Sequence, residues 1–118
     1  MTIVRSRSQI PEEPVGAGSG TRRQTLTARG SGSGFHMRRF AMEPGGGMPR
    51  HRNAVEHQQY ILAGQATVGI GDETFRVSAG DVVHIPGGVP HWYRAEGEEP
   101  FEFLCVVPDD EDQIELLE

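Results

Sequence analysis

Hydrophobic residues along this chain come in short runs broken by glycine, proline and charged residues, and they do not recur at the spacing of an amphipathic helix. From Phe35 onward the runs are F-H-M-R-R-F-A-M, E-H-Q-Q-Y-I-L, A-T-V-G-I, T-F-R-V, V-V-H-I, H-W-Y-R and F-E-F-L-C-V-V. Between them lie E-P-G-G-G, A-G-Q, G-D-E, S-A-G-D, P-G-G-V-P and E-G-E-E-P. Short runs with turn residues at this spacing predict an all-β antiparallel sandwich or barrel. Sixteen glycines and eight prolines supply its corners. In F-E-F-L-C-V-V the parity puts Phe101, Phe103, Cys105 and Val107 on one face and Glu102, Leu104 and Val106 on the other. Tyr60, Phe75, Trp92, Phe101 and Phe103 are expected to fill the core, because a small barrel needs aromatic volume. Only D-Q-I-E-L-L-E suits a short helix, with an exposed acidic tail as an equal alternative.

The rhythm divides the chain into an N-terminal arm over residues 1–34 with one or two strands, a barrel over 35–108 and an acidic tail over 109–118. The arm's G-A-G-S-G and R-G-S-G-S-G have neither a Walker lysine nor a following helical pattern, so they read as flexible connection rather than phosphate cradles.

At 118 residues the chain suits one domain. All 11 basic side chains are arginine, against 17 acids, and six of the acids lie in the last ten residues; the body is therefore electrically balanced. No clustered positive field exists to hold nucleic acid. No run reaches the roughly 18 apolar residues needed to cross a bilayer, and M-T-I-V-R-S-R-S-Q is not a secretory signal; no membrane role and a cytoplasmic location are expected. The lone Cys105 makes no internal disulfide, which agrees with a reducing compartment.

His51 and His57, in P-R-H-R-N-A-V-E-H, and His91, in P-G-G-V-P-H, carry the chemistry, since imidazole is the commonest metal-binding side chain. Gly80, Pro86, Gly88 and His91 keep the register of glycine, five residues, proline, one residue, glycine, two residues, histidine, and the G-G-G at 45–47 precedes His51. On these residues the chain, over roughly 35–108, resembles a cupin, a double-stranded β-helix or jelly-roll barrel. The E-P-G-G, E-H-x-x-Y-I-L-x-G and F-E-F-L-C stretches further resemble small single-domain bacterial cupins of thermophiles that bind manganese through four histidines.

That resemblance implies a metal site of His51, Asn53, His57 and His91. Asn53 stands where the family has its second histidine, His57 where it has its glutamate, and Ala95 where the second motif ends in asparagine. Three roles stay open to Asn53: a weak amide ligand, a hydrogen bond to a metal-bound water, or neither. With neutral ligands a divalent ion keeps its full charge and attracts anionic oxygen donors. Manganese or iron is expected, while the donor set suits zinc, nickel and copper too. Gln59, His84 and Cys105 are weaker candidates to line the pocket, with a satisfied core histidine and an inert buried thiol as the alternatives for the last two. Glu56 has the opposite parity to His57 and is expected to face solvent or to support the site from behind.

The function expected is a small metal-binding cupin, with an oxidative, dioxygenase-type reaction on a small anionic substrate as the most concrete chemistry. The rival is a non-catalytic small-molecule binding module with a structural metal or none. A sugar-phosphate isomerase ranks third, since the chain has no lysine to hold phosphate. The resemblance also implies a homodimer with exchanged N-terminal strands that include Ile3 and Val4.

Overall fold

The computed structural model describes residues 4–28, 33–110 and 112–117, and its elements are one 3-10 turn (Arg7–Gln9) and ten strands. These are β1 (Glu13–Pro14), β2 (Ser19–Thr27), β3 (Phe35–Asn53), β4 (His57–Ala63), β5 (Gln65–Ile70), β6 (Glu73–Ser78), β7 (Val82–Ile85), β8 (His91–Glu96), β9 (Phe101–Pro108) and β10 (Ile114–Leu116). They form one curled antiparallel sheet in the order β6-β5-β8-β3-β9-β4-β7, with β2 and β10 paired to β3 and β1 to β2. This is an antiparallel barrel, as the pattern predicts, in the jelly-roll form that the resemblance implies. No helix among the described residues is long and apolar enough to cross a membrane.

The long strand β3 organises the barrel. Its first half, from Phe35 to Met42, pairs with β9, while Gly47, Met48 and His51 pair with β8, so one strand serves both walls. The P-G-G-G stretch reads in the sequence as a break, yet here the strand continues through it, with a register shift against β2 and Gly45 at φ 81°. Gly47 explains why: a Cβ there would fall 2.0 Å from the Tyr93 carbonyl oxygen, so only glycine lets β3 pass this close to β8.

Alternation then sorts the side chains. On β9, Phe101, Phe103, Cys105 and Val107 are all buried, as their parity predicts. Phe103 stacks on Phe40 and Tyr93 at ring separations of 5.2 and 5.3 Å and leans on Phe101 at 5.4 Å, forming the aromatic centre of the core. Tyr60 and Phe75 depart from the expectation: they are 49% and 42% exposed, and on β4 it is His57, Gln59 and Ile61, not Tyr60, that face inward. Trp92 is half-buried over Gly69.

The C-terminal segment is neither helix nor free tail. Ile114, Glu115 and Leu116 pair with Asn53, Arg52 and His51, and the Leu117 N–H donates to the Arg50 carbonyl at 2.8 Å. The edge of β3 beyond β8 thereby gains its backbone partners. The arm holds β1 and β2, and β2 pairs with β3 along Met37 to Gly47. Of the two residues expected in an exchanged strand, Ile3 lies outside the described residues and Val4 is exposed and in no strand.

Candidate functional site

Register brings the first two histidines together. His51 near the end of β3 lies directly opposite His91 at the start of β8, and their rings are 4.2 Å apart. The P-G-G-V-P turn sets this placement: the Gly88 N–H donates to the Asn53 carbonyl at 2.8 Å, and the Val89 N–H to the Pro86 carbonyl at 3.3 Å. Gly87 packs so closely on this loop that a Cβ would meet the Ala54 carbonyl at 2.5 Å. His57 opens β4 after the three-residue link from Asn53, and its ring lies 5.6 Å from that of His91. Sharing parity with Gln59, it faces inward, and all three histidines are at most 6% exposed.

These rings line a cavity of about 80 Å³ together with Asn53, Gln59, Tyr93 and an apolar wall that includes Phe40, Met42 and Phe103. Backbone carbonyls fix two of the tautomers. His51 Nδ1 donates to the Pro49 carbonyl at 2.7 Å and His91 Nδ1 to the Val89 carbonyl at 2.9 Å, which leaves each Nε2 as a lone-pair donor. His57 Nδ1 faces the Cys105 sulfur at 3.6 Å. Six buried polar atoms of the cavity residues have no hydrogen-bond partner among the described residues: Nε2 of His57, Nε2 of His91, Oδ1 of Asn53, Oε1 of Gln59 and the Nε of Arg23 and of Arg38. Leaving a buried acceptor unmade costs about 1–3 kcal/mol each. The lone pairs of His91 Nε2, Asn53 Oδ1 and Gln59 Oε1, joined by His57 Nε2 in the tautomer that carries its proton on Nδ1, suit a cation or N–H and O–H donors.

The same burial keeps the imidazoles neutral, as ligands must be. Desolvation pulls His57 down to about 3, with the Arg38 guanidinium adding to the effect. It takes His91 to about 4 against the opposing pull of the Val89 carbonyl, and it lowers His51 as well. Burial pushes the Tyr93 hydroxyl and the Cys105 thiol upward, so both stay protonated at neutral pH.

Asn53 has its own support. Its amide nitrogen donates to Asp112 Oδ2 at 2.9 Å, and Asp112 Oδ1 accepts from the Val55 N–H at 3.2 Å, which turns the Asn53 oxygen away from its carboxylate partner. Among the described residues no group of three or more His, Cys, Asp or Glu is already drawn in as a closed ligand set. The three histidines are thus gathered on one cavity, with Nε2 of His57 and of His91 unpartnered, but are not preset around a point.

The remaining candidates divide. Gln59 lines the cavity, donating to the Tyr93 hydroxyl at 2.7 Å. Cys105 lies behind His57 and Gln59, fully buried. His84 is a correction: it points outward, half exposed, and contacts Glu56 Oε2 at 3.0 Å, because Val83 and Ile85 take the inward positions of β7. Glu56 is accordingly exposed and remote from the cavity. The sequence reading missed Arg23, Arg38 and Asp112. Arg38 carried a signal, for it shares parity on β3 with Phe40 and Met42; Asp112 carried none beyond a run of acids.

Comparison with known proteins agrees with this fold. The Cupin domain family model matches residues 38–107. The 1-methylthio-D-xylulose 5-phosphate methylsulfurylase of Rhodospirillum rubrum is 34% identical over 94 residues, covering 80% of this chain and 60% of that protein. Oxalate decarboxylase OxdC of Bacillus subtilis is 36% identical over 75 residues, covering 58% of this chain and 20% of that protein. The chain thus spans 60% or less of the length of these relatives. Among solved structures, the polyketide cyclase RemF from Streptomyces resistomycificus superposes with a TM-score of 0.90 at 25% identity, covering 100% of this chain and 87% of that one.

Proposed function

The chain belongs to the cupin family, and from that premise we propose that it is a metal-dependent enzyme in which His51, His57 and His91 hold a first-row divalent ion and a small anionic oxygen-donor substrate is turned over beside it. The observation that carries the reading is the cluster of unpartnered buried polar atoms on Asn53, His57, Gln59 and His91. The three histidines would supply nitrogen lone pairs to such an ion. Manganese or iron is the expected occupant, with zinc, nickel or copper compatible with the same donors. When bound, such an ion supplies positive charge to a substrate oxygen and open positions for further ligands.

The protein's own residues bind and orient. Gln59 donates its amide N–H to the Tyr93 oxygen, which leaves the Tyr93 O–H free to donate to a substrate oxygen, and the burial that keeps this phenol protonated makes it a standing neutral donor. Phe40, Phe103 and Tyr93 form a stacked aromatic wall that excludes water and suits a flat or apolar body. The reaction we propose is oxidative, of the dioxygenase type. A second reading, ring closure on a polyoxygenated substrate without oxidation, is favoured by the full-length likeness to a polyketide cyclase together with the aromatic wall. Assembly as a cytoplasmic homodimer belongs to the same proposal.

Turnover of small carboxylic and enolic acids by metal-loaded protein, followed with and without dioxygen, tests the reading. Turnover that needs dioxygen supports the oxidative form, and turnover that ignores it supports ring closure. Ligand binding with no turnover, unchanged in His91→Ala, would refute both in favour of a binding module.

A further inference from the structure

Among the described residues four arginines pair with carboxylates. Arg22 pairs with Glu12 and Glu43, Arg39 with Glu12 and Glu102, Arg52 with Glu115, and Arg94 with Glu96. Arg23 and Arg38, which line the histidine cavity, do not. Neither has a carboxylate partner among the described residues, and the Nε of each is buried with no hydrogen-bond partner. They stand on adjacent paired strands: Thr25 of β2 lies opposite Arg38 of β3, and Arg23 is two residues from Thr25, so the two arginines share a face as diagonal neighbours. Both line the histidine cavity, and both also line a second cavity of about 300 Å³ that adjoins it. Arg38 is held by its aliphatic and planar surfaces, its guanidinium lying 5.1 Å from the Phe40 ring centre and donating weakly to the Cys105 sulfur at 3.5 Å. It is positioned without being neutralised.

We infer that Arg23 and Arg38 form an oxyanion subsite between the two cavities, which holds the carboxylate or phosphate of a small molecule whose other end reaches the histidines. The proposal rests on the reading of that cavity as a substrate site and names the substrate's charged end. Two planar guanidinium forks suit a carboxylate or phosphate, whose oxygens accept paired N–H groups. The acids of the outer cavity limit the charge it tolerates. Asp112 is committed through both oxygens, to Asn53 and to the Val55 N–H, and Asp110 is exposed at the rim. Two arginines without a carboxylate partner among the described residues, set beside these acids, favour one compact oxyanion over a polyanion.

The test is calorimetric titration of the full chain with sodium phosphate and, separately, sodium acetate at fixed ionic strength. Wild type, Arg23→Gln, Arg38→Gln, Arg38→Lys and the exposed-site control Arg50→Gln are compared. Wild type and Arg50→Gln bind alike, each glutamine variant weakens binding roughly tenfold or more, and lysine recovers part of it. The tighter of the two probes tells a phosphorylated ligand from a carboxylic acid. No binding to wild type, or equal binding by all variants, overturns the subsite. If Arg38→Gln does not fold, Arg23→Gln and Arg38→Lys carry the test. The metal content of the same proteins separates the two readings: oxyanion binding without metal sinks the three-histidine centre alone, and metal without arginine-dependent binding sinks the subsite alone.

Discussion

Acidification should unfold the metal-free protein at a pH where most domains are still secure, and the histidines of the cavity are the reason. In the unfolded chain each imidazole takes up a proton near its ordinary value of 6.5, whereas in the fold His57 stays neutral until about 3 and His91 until about 4. Between those values the unfolded state binds more protons than the folded one, so stability is complete above about 6.5, falls as the pH is lowered, and stops falling on this account below the folded values. Applying linkage to both residues, the drop from pH 7 to pH 5 costs about 4 kcal/mol, roughly half from each imidazole. That is a large part of the 5–15 kcal/mol typical of a domain. His51, also lowered, acts in the same direction. Urea unfolding of chelator-treated protein at pH 7, 6 and 5, followed by Trp92 fluorescence, measures the loss. His57→Gln and His91→Gln should each lower stability at pH 7 yet remove about half of its pH dependence over this window. A wild-type midpoint that does not move, or a pH dependence unchanged in both variants, would refute the reasoning that buried neutral imidazoles dominate acid stability here.

Other consequences are separate from titration. Phe103→Ala removes the ring against which Phe40, Tyr93 and Phe101 pack, at a site 2% exposed, and should cost about 3–5 kcal/mol by urea unfolding; a loss below about 1 kcal/mol would deny Phe103 its place at the core's centre. Gly69→Ala places a methyl 1.9 Å from Trp92 Nε1, so the indole must swing outward, which a red-shifted emission reports and an unchanged spectrum contradicts. Asp112→Ala frees the Asn53 amide and should weaken metal affinity about 10–100-fold in chelator competition; equal affinity would show that Asn53 and its carboxylate take no part in holding the ion.

Much of this barrel is legible in the chain because side-chain parity is a local property. The alternation in F-E-F-L-C-V-V places Phe101, Phe103, Cys105 and Val107 inside, and the glycine and proline register around His91 places that residue at the start of a strand. The convergence of His51, His57 and His91 on one cavity follows from the same register. What escaped depends on contacts between distant segments. P-G-G-G looks like a break until Tyr93 is seen passing over Gly47, which turns a turn signal into a requirement for close approach. The acidic run at the end hides the alternation of Ile114, Glu115 and Leu116, and a strand forms there because β3 offers an unpaired edge. His84 looked pocket-facing by proximity to the P-G-G-V-P turn, but Val83 and Ile85 compete better for the interior. Arg38 was overlooked because a charge is ordinarily assigned to solvent, although Phe40 and Met42 on the same face of β3 pointed inward.

The central claim is that the three histidines form a metal centre, and elemental analysis of the purified protein tests it most directly, in wild type beside His57→Ala and His91→Ala. The account predicts close to one equivalent of manganese, iron or another first-row ion per chain in wild type, and its loss in both variants. Wild-type protein that stays empty after loading with manganese, iron and zinc in turn, or variants that retain a full equivalent, would contradict it.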